Sequence, residues 1–348
     1  MQKNFPDLIT LAIETSCDDT SVSVMRGRIV LSNVVSSQVD ALKFGGIVPE
    51  LASRAHQANM VPVVEDALVQ AGVKLQDIRL IGVTYGPGLI GSLLVGLNFA
   101  KGLAYSLDIP YIGVNHIEAH MLAAFLEKPH PDFPFISLIV SGGHTMLVLA
   151  EALGRYRILG ETQDDAAGEC FDKVARFLNI APENGSGMSG PMVDVRARLG
   201  DPEKIKFPRP LGNSDNFHFS FSGLKTSVLN YSKKQEQWSA QEINDMCASF
   251  QEAVVDVLIS KSLRACMEHR VGSLVLSGGV AANSRLRDML NQQAQKSDVR
   301  LFIPAKSYCT DNAAMIGLTA YLKHLEGEVS PLDLAPNPSL RLIEQRQK

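Results

Sequence analysis

The order of apolar and polar positions predicts an α/β chain built twice. Residues 8–14 (LITLAIE) are an apolar run with polar ends, the pattern of a buried strand. Thr15-Ser16-Cys17-Asp18-Asp19-Thr20 follows, rich in turn-forming residues. Residues 21–24 and 29–35 read as two further strands. Residues 49–70 have helical periodicity, with a kink expected at Pro62. Residues 80–85 form the next strand, Gly86-Pro87-Gly88 a turn, and residues 91–107 a helix of small side chains. The pattern then restarts. Residues 135–140 (FISLIV) are a strand, Ser141-Gly142-Gly143-His144 a turn, and residues 145–150 a strand. Residues 273–276, the turn Ser277-Gly278-Gly279, a helix over 281–293, a strand over 299–303 and a helix over 311–325 complete the second half. Between the regular parts lies 181–221, rich in Gly, Pro, Ser and Asn, a long loop or inserted subdomain.

Length agrees with duplication. The 348 residues suit two domains at about 150 residues each. We place an N-terminal α/β lobe at 1–134 and a C-terminal lobe at 135–348, with a loop-rich insertion at about 181–234. Residues 80–100 carry no charge and are long enough to raise a membrane helix. The Gly-Pro-Gly interruption favours a buried strand, turn and helix. The first seven residues lack the order of a signal peptide. Five dispersed cysteines without a CxxC pair argue against a zinc ribbon or a disulfide scaffold, and suit a reducing cytoplasm.

Three groups of residues could carry chemistry. In His116-Ile117-Glu118-Ala119-His120, the histidines at i and i+4 share a helix face and can bind one metal ion. Glu118 follows two positions after His116, about 200° around a helix, and points away from such an ion. That disfavours a metallopeptidase. Two histidines are half a site, and Asp311 at a helix start is the candidate third ligand. The alternative is an exposed polar helix face.

The second group is the glycine turns after strands, at 86–88, 140–144 and 276–280. Glycine lets a backbone approach a phosphate closely. Together they suggest a nucleotide cleft, whereas P-loop and Rossmann signatures are absent.

The third group is charge. Eight basic and three acidic residues lie between Arg196 and Lys234, a local +5, which leaves −9 for the rest of a chain whose total is −4. Phe207, Phe217, Phe219 and Phe221 are interleaved. Basic and aromatic side chains together are what looped RNA needs; the alternative is a solvated loop anchored by phenylalanines. No GxSxG nucleophile occurs, and Cys17 in a buried turn reads as packing.

Six ordered segments resemble one family. They are Glu14-Thr15-Ser16-Cys17-Asp18-Asp19-Thr20, the stretch from Gly45 and Gly46 through Pro49 to Arg54, His116 to His120, Ser141-Gly142-Gly143-His144-Thr145, Phe219 to Thr226, and Cys309-Thr310-Asp311-Asn312. They resemble the TsaD family of tRNA adenosine threonylcarbamoyltransferases from about residue 8 to about residue 325. The resemblance implies an α/β fold of the two-lobed actin/Hsp70/sugar-kinase (ASKHA) kind. It implies attack by N6 of adenosine 37, in tRNAs reading codons that start with A, on L-threonylcarbamoyladenylate, with AMP leaving.

By position it implies His116, His120 and Asp311 as ligands of one divalent metal, iron favoured and zinc the alternative. It implies Ile139, Val140, Ser141, Gly142 and Gly143 as the loop holding the acyl-adenylate, with Asp172, Gly190, Asp194 and Asn283 as further substrate contacts. Glu14, Cys17, Asp18, Gly278 and Gly279 would line the same cleft, which ATP, ADP or AMP could also occupy. Arg196, Arg198, Lys204, Lys206, Arg209 and Lys225 are the candidate tRNA contacts. One departure stands out. Ser189 takes the place of a family glycine, after an apparent insertion at 184–188. Serine lacks glycine's backbone freedom, which predicts a different path for this loop.

The implied partners are tRNA and, for a bacterial protein, a smaller TsaB-like paralogue and a TsaE-like ATPase. A mitochondrial type would act as a homodimer. Bacterial cytoplasm is the expected location, a mitochondrion the alternative, and no membrane is implied. Two rival functions use the same features: an ATPase or small-molecule kinase on this fold, and a non-catalytic scaffold presenting tRNA.

Overall fold

The structure, a computed structural model, describes residues 7–37, 47–180 and 189–342. Gly45 and Gly46 of the second motif, and the apparent insertion at 184–188, lie outside the described residues. The strands are β1 (Ile9–Glu14), β2 (Asp19–Arg26), β3 (Ile29–Ser37), β4 (Leu80–Gly86), β5 (Tyr111–Asn115), β6 (Phe135–Val140), β7 (Thr145–Ala152), β8 (Arg155–Glu161), β9 (Ser273–Ser277) and β10 (Arg300–Phe302). The helices are α1 (Pro49–Ala71), α2 (Ile90–Leu107), α3 (His116–Leu122), α4 (Ala167–Phe177), α5 (Gly190–Ala197), α6 (Ser222–Ser232), α7 (Ala240–His269), α8 (Ser284–Lys296), α9 (Lys306–Cys309) and α10 (Ala313–Leu325).

Packing divides the chain between His130 and Pro131, and again between Cys309 and Thr310. In the first unit the apolar run at 8–14 becomes β1, buried along its length because it is central. It pairs antiparallel with β2 and parallel with β4, in the order β3-β2-β1-β4-β5. Leu11 stands beside Val24 on one neighbour and Ile81 on the other. These three share a core with Met60, Val63 and Val64 of α1 and Leu97 and Ala100 of α2. The other face of the sheet, with Ala12, Leu80, Ile112 and Val114, packs on Met315, Ile316 and Ala320 of α10. The sequence-based division at residue 134 therefore needs correction at its far end. The chain returns to the first unit at Thr310, because the apolar side of α10 covers that sheet face.

The second unit repeats the topology. β6 pairs antiparallel with β7 and parallel with β9, and the order β8-β7-β6-β9-β10 matches β3-β2-β1-β4-β5 strand for strand. Its core joins Ile136, Leu138 and Val140 to α4, α5, α6 and the 30-residue α7.

The uncharged stretch at 80–100 is a strand, a turn and the start of α2, as its glycines and proline suggest. By length and composition α2 could cross a membrane, with mean hydropathy 1.3, yet Leu97, Ala100 and Ala104 pack it on the sheet. Two helix starts differ from expectation. A short 3-10 turn (Gly279–Ala282) precedes α8, whose cap is Asn283, and α10 starts at Ala313, capped by Asn312. In both cases the asparagine side chain satisfies the first helical N–H groups, and a helix begins where its cap sits. Within 181–234, α5 and α6 are regular helices.

Candidate metal centre and glycine-rich turns

The first site is built on the junction of β5 and α3. Asn115 ends the strand and caps the helix, its Oδ1 accepting from the backbone N–H of Ile117 at 2.9 Å and of Glu118 at 3.2 Å. The helix therefore begins at His116, and His120 falls one turn later on the same face. The two rings pack edge to face with centroids 4.6 Å apart. Asp311, left on the loop before α10, brings its Oδ1 to 3.0 Å from His120 Nε2 and 3.5 Å from His116 Nε2. One donor atom from each of the three residues lies within 4.8 Å of the others.

Beneath His116 lies Glu14, fully buried at the end of β1. Its Oε2 is 3.0 Å from His116 Nδ1 and accepts from Thr84 Oγ1 at 2.5 Å. Its Oε1 accepts from the backbone N–H of Ser16 at 2.5 Å. Burial alone would raise the Glu14 pKa, but His116 beside it outweighs burial and holds the carboxyl below its usual range. His116 shows the counterpart. Burial opposes its charge, yet Glu14 and Asp311 overcome that and lift its pKa to about 9.

The pocket thus draws positive charge to a point where two imidazole nitrogens face one carboxylate oxygen. His120 Nδ1 is buried without a hydrogen-bond partner among the described residues, so Nε2 alone anchors that ring. Two imidazoles and one carboxylate fit a divalent cation and leave coordination positions open. Glu118 takes no part. Its carboxylate is 3.3 Å from Lys323 Nζ on α10, in agreement with its position on the helix.

The turn between β1 and β2 carries the other acidic candidates. Burial, with Asp18 and Asp311 nearby, pushes the Cys17 thiol well up, which disfavours the thiolate a nucleophile would need. Burial likewise pushes Asp19 up to about 6.

In the second unit, Ile139 and Val140 lie inside β6 and are buried. Ser141 to His144 closes the β6–β7 hairpin, the Ser141 N–H donating to His144 O at 2.7 Å. Because β6 and β9 are parallel neighbours, with Ile139 opposite Ser277, this turn and the Gly278-Gly279 turn emerge side by side at the carboxyl ends of both strands. Gly278 has φ +88° and lies against the Val140 carbonyl. A Cβ on Gly142, Gly143 or Gly279 would meet nothing within 4 Å.

Asp172 on α4 accepts from the Gly190 N–H at 2.6 Å, and burial raises its pKa. Asp194 accepts from Ser284 Oγ at 2.7 Å and Arg198 Nη2 at 2.8 Å. Asn283 accepts from Leu286 N–H and donates to Gln251 Oε1 at 2.7 Å. Ser189 sits at φ −80°, ψ −20°, ordinary helical backbone that asks for no glycine. The substitution therefore imposes no unusual backbone at this position.

The basic stretch is less free than its charge count suggests. Arg209 pairs with Asp256 at 2.7 Å and Lys225 with Asp165 at 2.5 Å, besides the Arg198 pair. Arg196, Lys204 and Lys206 are exposed. The interleaved aromatics follow the alternative reading, in which phenylalanines anchor the segment to a core. Phe207, Phe219 and Phe221 are core residues, and Phe217 is half-buried with the Arg264 guanidinium 4.6 Å from its ring. The period-two spacing of Phe217, Phe219 and Phe221 is that of an extended edge segment, Phe219 bridging to Thr162.

Two site-building residues were not singled out from sequence. Asp164 accepts from Ser220 Oγ, Ser222 Oγ and the N–H groups of Phe221 and Ser222, and so pins the start of α6. Thr84 holds Glu14. The Asp164-Asp165 doublet before a helix was a visible signal for the first, whereas nothing local marks the second.

The chain has recognisable relatives. Residues 29–318 match the model of the TsaD family, described as tRNA N6-adenosine threonylcarbamoyltransferase. A protein of that name from Clostridium perfringens strain SM101 is 50% identical over 341 residues, 97% of this chain and 99% of the relative. One from Clostridium botulinum strain 657 is 49% identical over 339 residues, 96% and 98% of the two chains. Among solved structures, HypF of T. kodakarensis superposes with TM-score 0.62 at 14% identity, over 92% of this chain and 48% of that one. Component A of the (R)-2-hydroxyglutaryl-CoA dehydratase of Acidaminococcus fermentans gives 0.53 at 16%, over 91% and 98%. These two likenesses speak for the fold alone, which is of the actin/Hsp70/sugar-kinase class. Identity of one residue in two along nearly the entire length, with a family match over 29–318, settles the kinship: the chain belongs to the TsaD family of tRNA N6-adenosine threonylcarbamoyltransferases.

Proposed function

We propose that this chain transfers the threonylcarbamoyl group of L-threonylcarbamoyladenylate to N6 of adenosine 37 in tRNAs reading codons that start with A. The amine nitrogen forms a bond to the carbamoyl carbon, the bond to the phosphate oxygen breaks, AMP leaves, and the amine gives up a proton. The observation that carries this reading is the convergence of His116, His120 and Asp311, with donor atoms within 4.8 Å, in a chain of this family.

The acyl-adenylate is already a mixed anhydride, so no protein nucleophile is needed, and positioning does most of the work. His116, His120 and Asp311 would hold a divalent ion, iron favoured over zinc, which when bound would supply electrophilic pull on a phosphate or carbamoyl oxygen. Glu14 orients the His116 ring through Nδ1. The turns at Ser141 to Gly143 and Gly278-Gly279 present backbone N–H groups at strand ends. Gly142, Gly143 and Gly279 have neither positive φ nor a crowding neighbour, so nothing among the described residues requires glycine there. The close approach of a ligand would require it. Asp172, Gly190, Asp194 and Asn283 lie on the same unit as these turns and are the further substrate contacts. Exposed Arg196, Lys204 and Lys206 are the better candidates for tRNA phosphates, since Arg198, Arg209 and Lys225 already pair with carboxylates. The partners are tRNA, a smaller TsaB-like paralogue and a TsaE-like ATPase, in a bacterial cytoplasm.

The test is direct. The protein, with and without those partners, is incubated with tRNA and threonylcarbamoyladenylate, and the modified nucleoside is sought by mass. Transfer that His116→Ala abolishes while the fold survives supports the reading. Unchanged transfer after complete metal removal overturns the metal's role. Phosphate release from ATP without AMP release from the acyl-adenylate would point to an ATPase instead.

A further inference from the structure

One buried polar residue of the first unit has had no part so far. His56 is the only polar side chain on the buried stripe of α1, whose other members are Ala52, Met60, Val63, Val64 and Ala67. It is fully buried. Its Nε2 lies 2.9 Å from the carbonyl oxygen of Cys17, and its Nδ1 lies 2.7 Å from Thr20 Oγ1. A carbonyl can only accept, so Nε2 carries the hydrogen. Nδ1 then holds the lone pair and accepts from the Thr20 hydroxyl. Both nitrogens are used and the tautomer is decided by geometry. Burial lowers the His56 pKa, against the pull of the Cys17 carbonyl, Glu14 and Asp18, which agrees with a neutral ring.

The ring thus bridges positions 17 and 20 and closes the β1–β2 turn from the side of α1. The beginning of the same turn is tied elsewhere. Thr15 Oγ1 donates to Ser92 O at 2.9 Å, the Leu89 N–H donates to Ser16 O at 2.8 Å, and Ser16 Oγ is 3.2 Å from His116 Nδ1. His56 is therefore one short turn away from a metal-ligand candidate without touching it. An apolar residue would fill its place on the helix stripe without desolvating an imidazole, so packing alone gives no reason for histidine.

We propose that His56 is a positioning residue of the His116/His120/Asp311 site. By holding the Cys17 carbonyl and the Thr20 hydroxyl, it keeps Ser16 against His116. The proposal rests on the functional reading only for its activity arm; metal binding is measured independently.

The experiment compares the full-length protein with His56→Leu, His56→Gln and Thr20→Val. Gln keeps an N–H donor within reach of Cys17, Leu keeps neither bond, and Thr20→Val removes the other partner. The readouts are thermal midpoint, the dissociation constant for Zn2+ titrated into metal-stripped protein, and kcat and KM for transfer. His56→Leu is expected to weaken Zn2+ binding about tenfold, the lower end of effects for residues behind metal ligands, and to lower kcat more than it raises KM for tRNA. His56→Gln should recover most of the Zn2+ affinity, and Thr20→Val should lose less than His56→Leu. If His56→Leu lowers only the thermal midpoint, leaving Zn2+ affinity and kcat intact, the role is structural and the proposal falls. It also falls if folded His56→Gln binds Zn2+ no better than His56→Leu. Should His56→Leu fail to fold, His56→Gln and Thr20→Val decide: wild-type Zn2+ affinity in both overturns the proposal. If the unaltered protein transfers nothing but the Zn2+ series holds, the functional reading fails and this one stands.

Discussion

Glu14 Oε2 lies 3.0 Å from His116 Nδ1, a contact that joins the end of β1 to the start of α3 across 102 positions of sequence. With Nδ1 committed to Glu14, Nε2 is the nitrogen that faces Asp311. Glu14→Gln keeps the volume and removes the charge. Its affinity for Zn2+, by calorimetric titration into stripped protein, is expected to fall about 10- to 100-fold. Wild-type affinity in the variant would show that the carboxylate does not govern the site.

Glu118, buried on the same helix as the histidines, pairs at 3.3 Å with the partly buried Lys323 of α10. Lys323 also has Glu328 at 3.4 Å, so removing Glu118 leaves it one partner. Glu118→Gln should therefore cost about 1–3 kcal/mol, less than full loss of a buried pair. Zn2+ affinity should not change. Urea unfolding and metal titration on one preparation test both halves, and a variant that is stable but no longer binds Zn2+ would place Glu118 in the metal site after all.

The glycines of the second unit divide by cause. Gly278 has φ +88°, and a Cβ there would lie 2.4 Å from the Val140 carbonyl oxygen. Gly278→Ala should destabilise the fold by about 1–3 kcal/mol. Gly142→Ala meets nothing, and its stability should stay within about 0.5 kcal/mol of the parent. The cost of Gly142→Ala is expected in KM for the acyl-adenylate, raised several-fold. Unchanged KM in folded Gly142→Ala would count against that turn as a ligand cradle.

Lys261 is fully buried on α7, donating to Ser214 Oγ at 3.0 Å and to the Asn216 carbonyl at 2.8 Å. Burial, with Arg264 nearby, pushes its pKa down to about 8 from an ordinary 10.5. Between those values the unfolded chain keeps a proton that the folded chain gives up, so this group makes stability rise with pH across that window. Below about 8 both states are protonated, and the cost of the buried charge is felt in full. Lys261→Met lacks this titration. The difference in urea midpoint between variant and parent should therefore shift in the parent's favour between about pH 7.5 and about pH 9.5. A difference independent of pH would mean the lysine does not titrate there.

Much of the molecule was legible in its sequence because the signals are local. The strand at 8–14, the turn at 86–88 and the hairpin around Gly142 follow from apolar runs and glycines a few residues apart. The histidine spacing placed His116 and His120 on one face, and the same geometry placed Glu118 elsewhere. Misreadings arose where one local pattern serves two ends. Phe217, Phe219 and Phe221 among basic residues look like a stacking surface, but alternation along an extended segment also drives side chains into a core. A helix start at Asp311 and one at Ala313 differ only in which side chain caps, and Asn312 takes that place.

The sequence by itself determined the two repeated strand-turn-strand units, the paired histidines and, through its ordered motifs, the family. Those depend on backbone periodicity and on residue identity, both written along the chain. Only the tertiary structure decided that Asp311 meets His120 across 191 positions and that Glu14 backs His116. It also decided that α10 belongs to the first unit and that His56 closes a turn on another element. These depend on which apolar faces cover one another, and that choice is made by burial summed over a whole sheet, not by any short stretch of residues.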